Sequence, residues 1–159
     1  MTAEIPLTKG FVAIVDDEDY EMVQGYKWHA LVPASRRNVY AVRRIWTPGV
    51  GGGAIRLHRM IISAPTGVFV DHIDGNGLNC CRSNLRLCTM TQNNQNARVR
   101  SDNTSGHKGV VWHPASSKWR ARISVNGKMK HIGIYVNIED AVAAYRSAAL
   151  NYYGEFSRF

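Results

Sequence analysis

Residues 70–96, VDHIDGNGLNCCRSNLRLCTMTQNNQN, leave the backbone few paths. Gly75, Gly77 and the Asp and Asn residues around them suit tight turns, where positive φ and side-chain-to-backbone hydrogen bonds are needed, and suit neither a helix interior nor a regular strand. The apolar run GVFV before them and NLRLCTM after them each have the length of a short strand. TQNNQNARVR then predicts a helix with Thr89 or Thr91 as its N-cap. The local order is strand, loop, strand, helix, and Asp74, Gly75, Asn76, Gly77 and Asn79 read as the turn residues that close the loop.

The segments on either side follow from periodicity. EIPLTKGFVAIVD predicts two short strands joined at Lys9-Gly10, followed by an acidic helix from about Asp17 to near Gly25. NVYAVRRIW alternates as a strand does, and TPGVGGG, residues 47–53, reads as a turn or mobile loop. ARVRSDNTSG has the polar and Gly content of a linker. Beyond it, KGVVWHP and KWRARISVNGKMKHIGIYV predict three antiparallel strands with Asn126-Gly127 as a hairpin turn. A helix from about Ile138 to Tyr152 follows, with Ala141, Ala144, Tyr145, Ala148 and Ala149 forming one packing stripe. This organisation gives residues 1–98 as one domain, 99–106 as a linker and 107–159 as a second domain.

Charge points to the partner. The 159 residues carry a net charge of +8, with 45% hydrophobic and 20% charged residues, a globular composition that needs a core. The balance is uneven: residues 1–30 hold two Lys against six acids, residues 31–70 hold six Arg and no acid, and residues 97–159 hold ten Lys or Arg against four acids. Clustered Arg and Lys favour a polyanion, because binding phosphates releases counterions. Arg36, Arg37, Arg43 and Arg44 flank the alternating strand and face either phosphate or solvent. The opening residues lack a secretory signal and no apolar run has the length of a membrane span, so an intracellular, cytoplasmic protein is expected. Cys80, Cys81 and Cys88 include no CxxC pair and read as free thiols.

The polar residues of the central segment form a second pattern. Asp71 and His72 end the first strand, Asn84 precedes the second and Asn93 lies in the helix after it. One carboxylate and one amide oxygen make a hard donor set, suited to Mg²⁺ or Mn²⁺ with positions left for water and substrate. Zn²⁺ would prefer more nitrogen or sulfur. Alternation directs His72 away from Asp71 unless the strand end is distorted, in which case the imidazole could serve as a general base. The spacing DHIDGN, SNLRLCT, TQNNQN resembles the HNH nucleases, most closely over residues 55–97. That resemblance implies a ββα-metal motif in which Asp71 and Asn93 bind one divalent metal, His72 activates water, and Asn84 holds the His-bearing strand across the loop. Asn93 stands where the family name leads one to expect His, as in the phage homing branch. Arg86 is a candidate phosphate contact, with Arg59 and His58 behind it; structural roles for these stay open.

Residues 105–156, with KGV, KWRARI, Gly133 and EDAVAAY, are similar to the three-strand-plus-helix DNA-binding domain of plant ethylene-response (APETALA-type) transcription factors. The resemblance implies a sheet docked in the major groove. On the corresponding face lie Lys108, His113, Arg120, Arg122 and Ser124, with Lys130 and His131 as further candidates; Trp119, Ala121 and Ile123 share the opposite face and pack on the helix. Val111, Met129 and His131 differ from the plant pattern, so no base preference transfers. Trp112 and Trp119 read as core residues.

Together the resemblances imply an α+β protein: a ββα-metal HNH catalytic domain with an N-terminal β-rich extension, followed by a small three-stranded antiparallel sheet packed on one helix. The expected activity is that of a phage-type homing endonuclease hydrolysing a phosphodiester in double-stranded DNA, one strand per active site, as monomer or homodimer. Two rivals stand beside it. One is a DNA-binding regulator with a degenerate pocket, and the other is a nuclease structured by zinc on its cysteines.

Overall fold

A computed structural model describes residues 1–34, 38–49 and 51–159; Arg36 and Arg37 of the basic stretch lie outside the described residues. Among the described residues the protein mixes small antiparallel sheets with four α-helices, an arrangement compatible with an HNH domain. Its contacts divide it into two compact units, Met1–Asn93 and Asn94–Phe159.

In the first unit, β1 (Thr2–Pro6) pairs with β2 (Val12–Asp16), and the left-handed Lys9 and Gly10 turn the chain between them. Alternate residues Ala13 and Val15 enter the core while Val12 and Ile14 face outward. The acidic helix α1 (Asp17–Gln24) carries Asp17, Glu18 and Asp19 in its first turn, where they complement the helix dipole. Next come β3 (His29–Leu31), β4 (Tyr40–Thr47) and β5 (Gly51–Arg56), a three-stranded sheet with β4 in the middle. Here the expectation of a loop at 47–53 is corrected: Gly51, Gly52 and Gly53 are strand residues paired with Thr47, Trp46 and Ile45. Cross-strand hydrogen bonds supply what glycine lacks in strand propensity. The short helix α2 (Leu57–Ile61) buries Leu57, His58 and Ile61.

The hairpin β6 (Phe69–His72) and β7 (Leu85–Cys88) follows, with Asp71 opposite Arg86 and His72 opposite Leu85. It leads into α3 (Met90–Asn96), at the position expected for the central helix. Thr89 is the residue that starts it. Its N–H donates to Gln92 Oε1 at 2.8 Å and its hydroxyl accepts from the Gln92 N–H at 3.2 Å, the reciprocal bonding of a capping box. The division between the two units falls inside α3.

The second unit contains β8 (Val110–His113), β9 (Lys118–Val125) and β10 (Lys128–Tyr135), ordered β10-β9-β8, with left-handed Asn126 and Gly127 at the hairpin turn. Helix α4 (Ile138–Tyr153) covers one sheet face, and Val110, Ala121 and Ile123 meet Ala141, Tyr145 and Ala149 in a buried cluster. Ala144 and Ala148 flank that stripe half-buried. Gly109 is required by packing, since its φ is +69° and a Cβ there would strike the Tyr145 ring. Trp112 is a further correction: it is 45% exposed, stacked edge-on against Trp119 at 5.1 Å, rather than core.

Candidate functional site

Six polar side chains are buried among the described residues: Asp19, His58, Asp71, His72, Asn84 and Asn96. Burying polar groups is unfavourable unless each finds a partner. His58, Asp71, His72 and Asn84, four of these six, gather around the β6–β7 hairpin.

The loop joining the strands is built from its own side chains. Asn84 donates from Nδ2 to Asp74 Oδ1 at 3.0 Å and to the Asn79 carbonyl at 2.8 Å, and its Oδ1 accepts from the Asp74 N–H at 3.0 Å. The Ile73 N–H donates to the Asn84 carbonyl at 2.9 Å, so the Asn84 position extends the hairpin ladder one step beyond His72. Asp74 also accepts from the Asn76 N–H at 2.7 Å and from Asn79 Nδ2 at 2.8 Å. Burial pushes the Asp74 carboxyl up, but the Asn76 N–H, the Asn79 and Asn84 amides and His72 together bring it below its ordinary value. Gly77 is fixed by close approach: a Cβ there would lie 2.5 Å from the Val39 carbonyl and 2.8 Å from the Tyr40 ring.

The N-terminal extension braces this loop. Ile14 exchanges backbone hydrogen bonds with Leu78 and Cys80, at 2.9 and 2.8 Å. Arg82 grips buried Asp19 through Nε at 2.8 Å and Nη2 at 2.6 Å, while its N–H donates to Asp16 at 2.7 Å. A two-pronged guanidinium is the partner a buried carboxylate needs.

Asp71 and His72 are successive residues at the strand end, opposite Arg86 and Leu85 in the register, and their side chains meet different partners. Asp71 meets Arg86, whose Nε and Nη2 donate to Oδ2 at 2.9 and 2.7 Å. Both side chains are nearly buried, at 5% and 12% exposure. His72 turns toward Tyr40 and His58, with ring centroids 5.9 and 4.7 Å away. Burial holds the imidazole of His72 below its ordinary value, against the raising influence of Asp74 and Asp71. His58 is drawn lower still, to about 3, by burial first and then by His72, Arg56 and Arg59. Both rings are neutral at pH 7. Asn93 lies half-buried early in α3, its N–H bonded to the Thr89 carbonyl at 3.0 Å.

Several candidate contacts have other partners. Arg59 donates to the carbonyls of Val68, Ala64 and Pro65 at 2.6, 3.3 and 2.7 Å, clamping the turn before β6. His58, for which both a phosphate-side and a structural role stayed open, is 3% exposed and faces His72 from the inner side of α2. Neither Tyr40 nor the role of His58 beside His72 was signalled by any motif; only the aromatic start of an alternating strand marked Tyr40.

In the second unit, the register puts His113, Arg120, Arg122, Ser124 and His131 on one sheet face. Lys130 pairs with Ile123 on the other face and reaches the Tyr152 hydroxyl at 3.4 Å, so it does not join them. Lys108 donates from Nζ to the Gln95 carbonyl at 2.6 Å, and burial together with Arg158 lowers its pKa to about 8. His113 Nδ1 sits 2.9 Å from Ser116 Oγ. The three cysteines are free and buried, and burial pushes all three thiols up, Cys80 to about 12.

Asp71 and Asn93 each carry an oxygen of the hard kind that a divalent cation prefers. Among the described residues no three His, Cys, Asp or Glu side chains cluster to hold a metal. Such a site is unsuited to structural zinc.

The HNH endonuclease family model matches residues 63–95, the stretch from the turn before β6 into α3. Protein 3.8 of Escherichia phage T7 is 36% identical over 95 residues, covering 60% of this chain and 78% of its own. Uncharacterized HNH endonuclease L560 of Acanthamoeba polyphaga mimivirus is 30% identical over 155 residues, covering 94% of this chain and 74% of its own. No solved structure matches the chain.

Proposed function

This chain belongs to the HNH endonuclease family, and we propose that it is a metal-dependent DNA endonuclease of the homing type in which His72 activates water and Asp71 and Asn93 hold the divalent metal. The observation that carries the proposal is the coincidence of the family match with the buried Asp71, His72 and Asn84 group.

Each residue then has a chemical task. His72, neutral near pH 7 because it is buried, accepts the proton that the attacking water must lose. Tyr40 and His58 pack against its ring and limit its orientation. Asn84 and Asp74 lock the loop, so the strand end that carries His72 keeps its position. Asp71 and Asn93 would hold Mg²⁺ or Mn²⁺. When bound, a cation of this kind stabilises the negative charge developing on the phosphate and the departing 3′ oxygen. Arg86, bonded to Asp71 Oδ2, fixes that carboxylate and adds positive charge beside the phosphate.

The second unit would anchor the enzyme on duplex DNA through Arg120, Arg122, Ser124 and His131, in the manner of the APETALA-type sheet. One active site cuts one strand; a double-strand break requires a second copy or rebinding. The test is incubation of supercoiled plasmid with purified protein and Mg²⁺, Mn²⁺ or EDTA. Nicking with either cation and none in EDTA is expected, and equal plasmid integrity under all three conditions would reject the activity.

A further inference from the structure

The sheet β3–β4–β5 has one face in the core and one face that, among the described residues, is exposed at Leu31, Arg44, Trp46 and Arg56, while its Tyr40 end packs against His58 and His72. Ala30 and Ala41 mark the buried side. By alternation and register, the other side carries His29, Leu31, Tyr40, Val42, Arg44 and Trp46, with Arg56, Ala54 and Gly52 across from Val42, Arg44 and Trp46. Arg44 and Arg56 are exposed, and Trp46 is 76% exposed. The small residues opposite keep the floor flat: Gly52 faces the Trp46 ring and Ala54 faces Arg44.

This face is also the floor of a groove of about 1070 Å³, walled by α2 and the turn after it, with Arg59, Met60, Ala64 and Thr66 on that wall. Arg59 is held rigidly there by its three carbonyl partners and still contributes its charge. No acid lies anywhere between residues 31 and 70. At one end of the groove, Arg56 stands 5.6 Å over the Tyr40 ring, and Tyr40 in turn touches His72. Trp46 lies on the same sheet face beyond the groove, six residues along β4 from Tyr40 and so about 20 Å from it.

We propose that this open face is a track for the sugar–phosphate backbone of duplex DNA, running from Trp46 to the His72 imidazole. Arg56 and Arg44 are diagonal cross-strand neighbours, roughly 7–8 Å apart, a spacing close to the step between successive phosphates of one strand. They take two such phosphates, with the fixed charge of Arg59 behind them, while Trp46 packs its apolar ring on the sugars beyond the groove. Charge selects a polyanion, and the length and flatness of the ribbon select an extended backbone over a small phosphate ligand. The track would set the strand's path past the catalytic group, independently of the second unit. From the reading above it takes only that the partner is DNA.

The test measures binding without chemistry. Full-length protein in EDTA is titrated into a fluorescein-labelled random-sequence duplex at several salt concentrations, as wild type, Arg44→Ala/Arg56→Ala, Arg44→Lys/Arg56→Lys and Trp46→Ala. The double alanine variant is expected to bind about tenfold more weakly at low salt, with a log–log salt slope shallower by about two. The double lysine variant should keep the wild-type slope, and Trp46→Ala should weaken binding with the slope unchanged. An unaltered slope in the double alanine variant overturns the track, as does a loss seen with single-stranded RNA but not with duplex DNA. Because no cation is present, failure of the nuclease reading would appear separately, as an intact plasmid with a normal salt slope.

Discussion

At the level of single residues, the site sets neutral imidazoles against fixed charge. His58 shows the energetic consequence most clearly, because its folded pKa near 3 lies well below the 6.5 of the unfolded chain. Between those values the unfolded state binds a proton that the folded state excludes, so stability rises with pH there and is lost as pH falls below 6.5. By pH 5 the loss should reach roughly 2 kcal/mol. Urea unfolding at pH 7 and pH 5 checks this, and His58→Gln should flatten the difference; equal pH dependence in the variant would remove His58 as its source. The turn chemistry at Asp74, Asn76 and Asn79 was readable from the sequence because those bonds are local, between residues a few places apart. The occupation of Arg59 by three carbonyls and the burial of Lys108 on Gln95 were not, because a basic side chain looks the same in a sequence whether it faces phosphate or a backbone oxygen.

At the level of elements, α3 stands between the hairpin and the second unit and begins at a defined residue. Its capping box joins Thr89 to Gln92, one position before Asn93. Thr89→Ala should destabilise the protein by about 1 kcal/mol. It should lower cleavage more than that figure alone implies, because the first turn orients Asn93. Thermal melting and initial rates on the same preparation separate the two effects, and a rate unchanged from wild type would count against Asn93 as a ligand. The strand–loop–strand–helix order of this region was legible, since Gly and Asn punctuation and apolar runs act locally. The strand at Gly51–Gly53 was hidden because its partner, β4, rather than its own propensity, makes it a strand. Lys130 illustrates the same limit in the second unit: a register shift between His131 and Gly133 and the pairing with Ile123 decide its face.

At the level of the whole molecule, two cores in one chain divide the work. The cluster around Leu57, Ile61 and Val15 supports the hairpin, and the cluster around Ile123, Ala141 and Tyr145 supports a basic sheet. Residues 101–159 hold eight Lys or Arg against four acids, a net charge of +4 and half of the total of +8. Deleting residues 101–159 should therefore leave catalysis possible but weaken duplex binding by orders of magnitude and flatten its salt dependence. Binding isotherms at several salt concentrations read this directly, and a truncated protein with wild-type affinity would contradict it. The division of charge along the chain was visible in composition, whereas the boundary inside α3 depends on contacts that no linker composition announces.

The most direct measurement of the central claim compares wild type with His72→Ala on supercoiled plasmid in Mn²⁺, with duplex affinity measured alongside. Loss of a general base should slow nicking by roughly a hundredfold to ten-thousandfold while affinity stays near that of wild type. Nicking by the alanine variant at the wild-type rate would contradict the assignment of His72 as the residue that activates water.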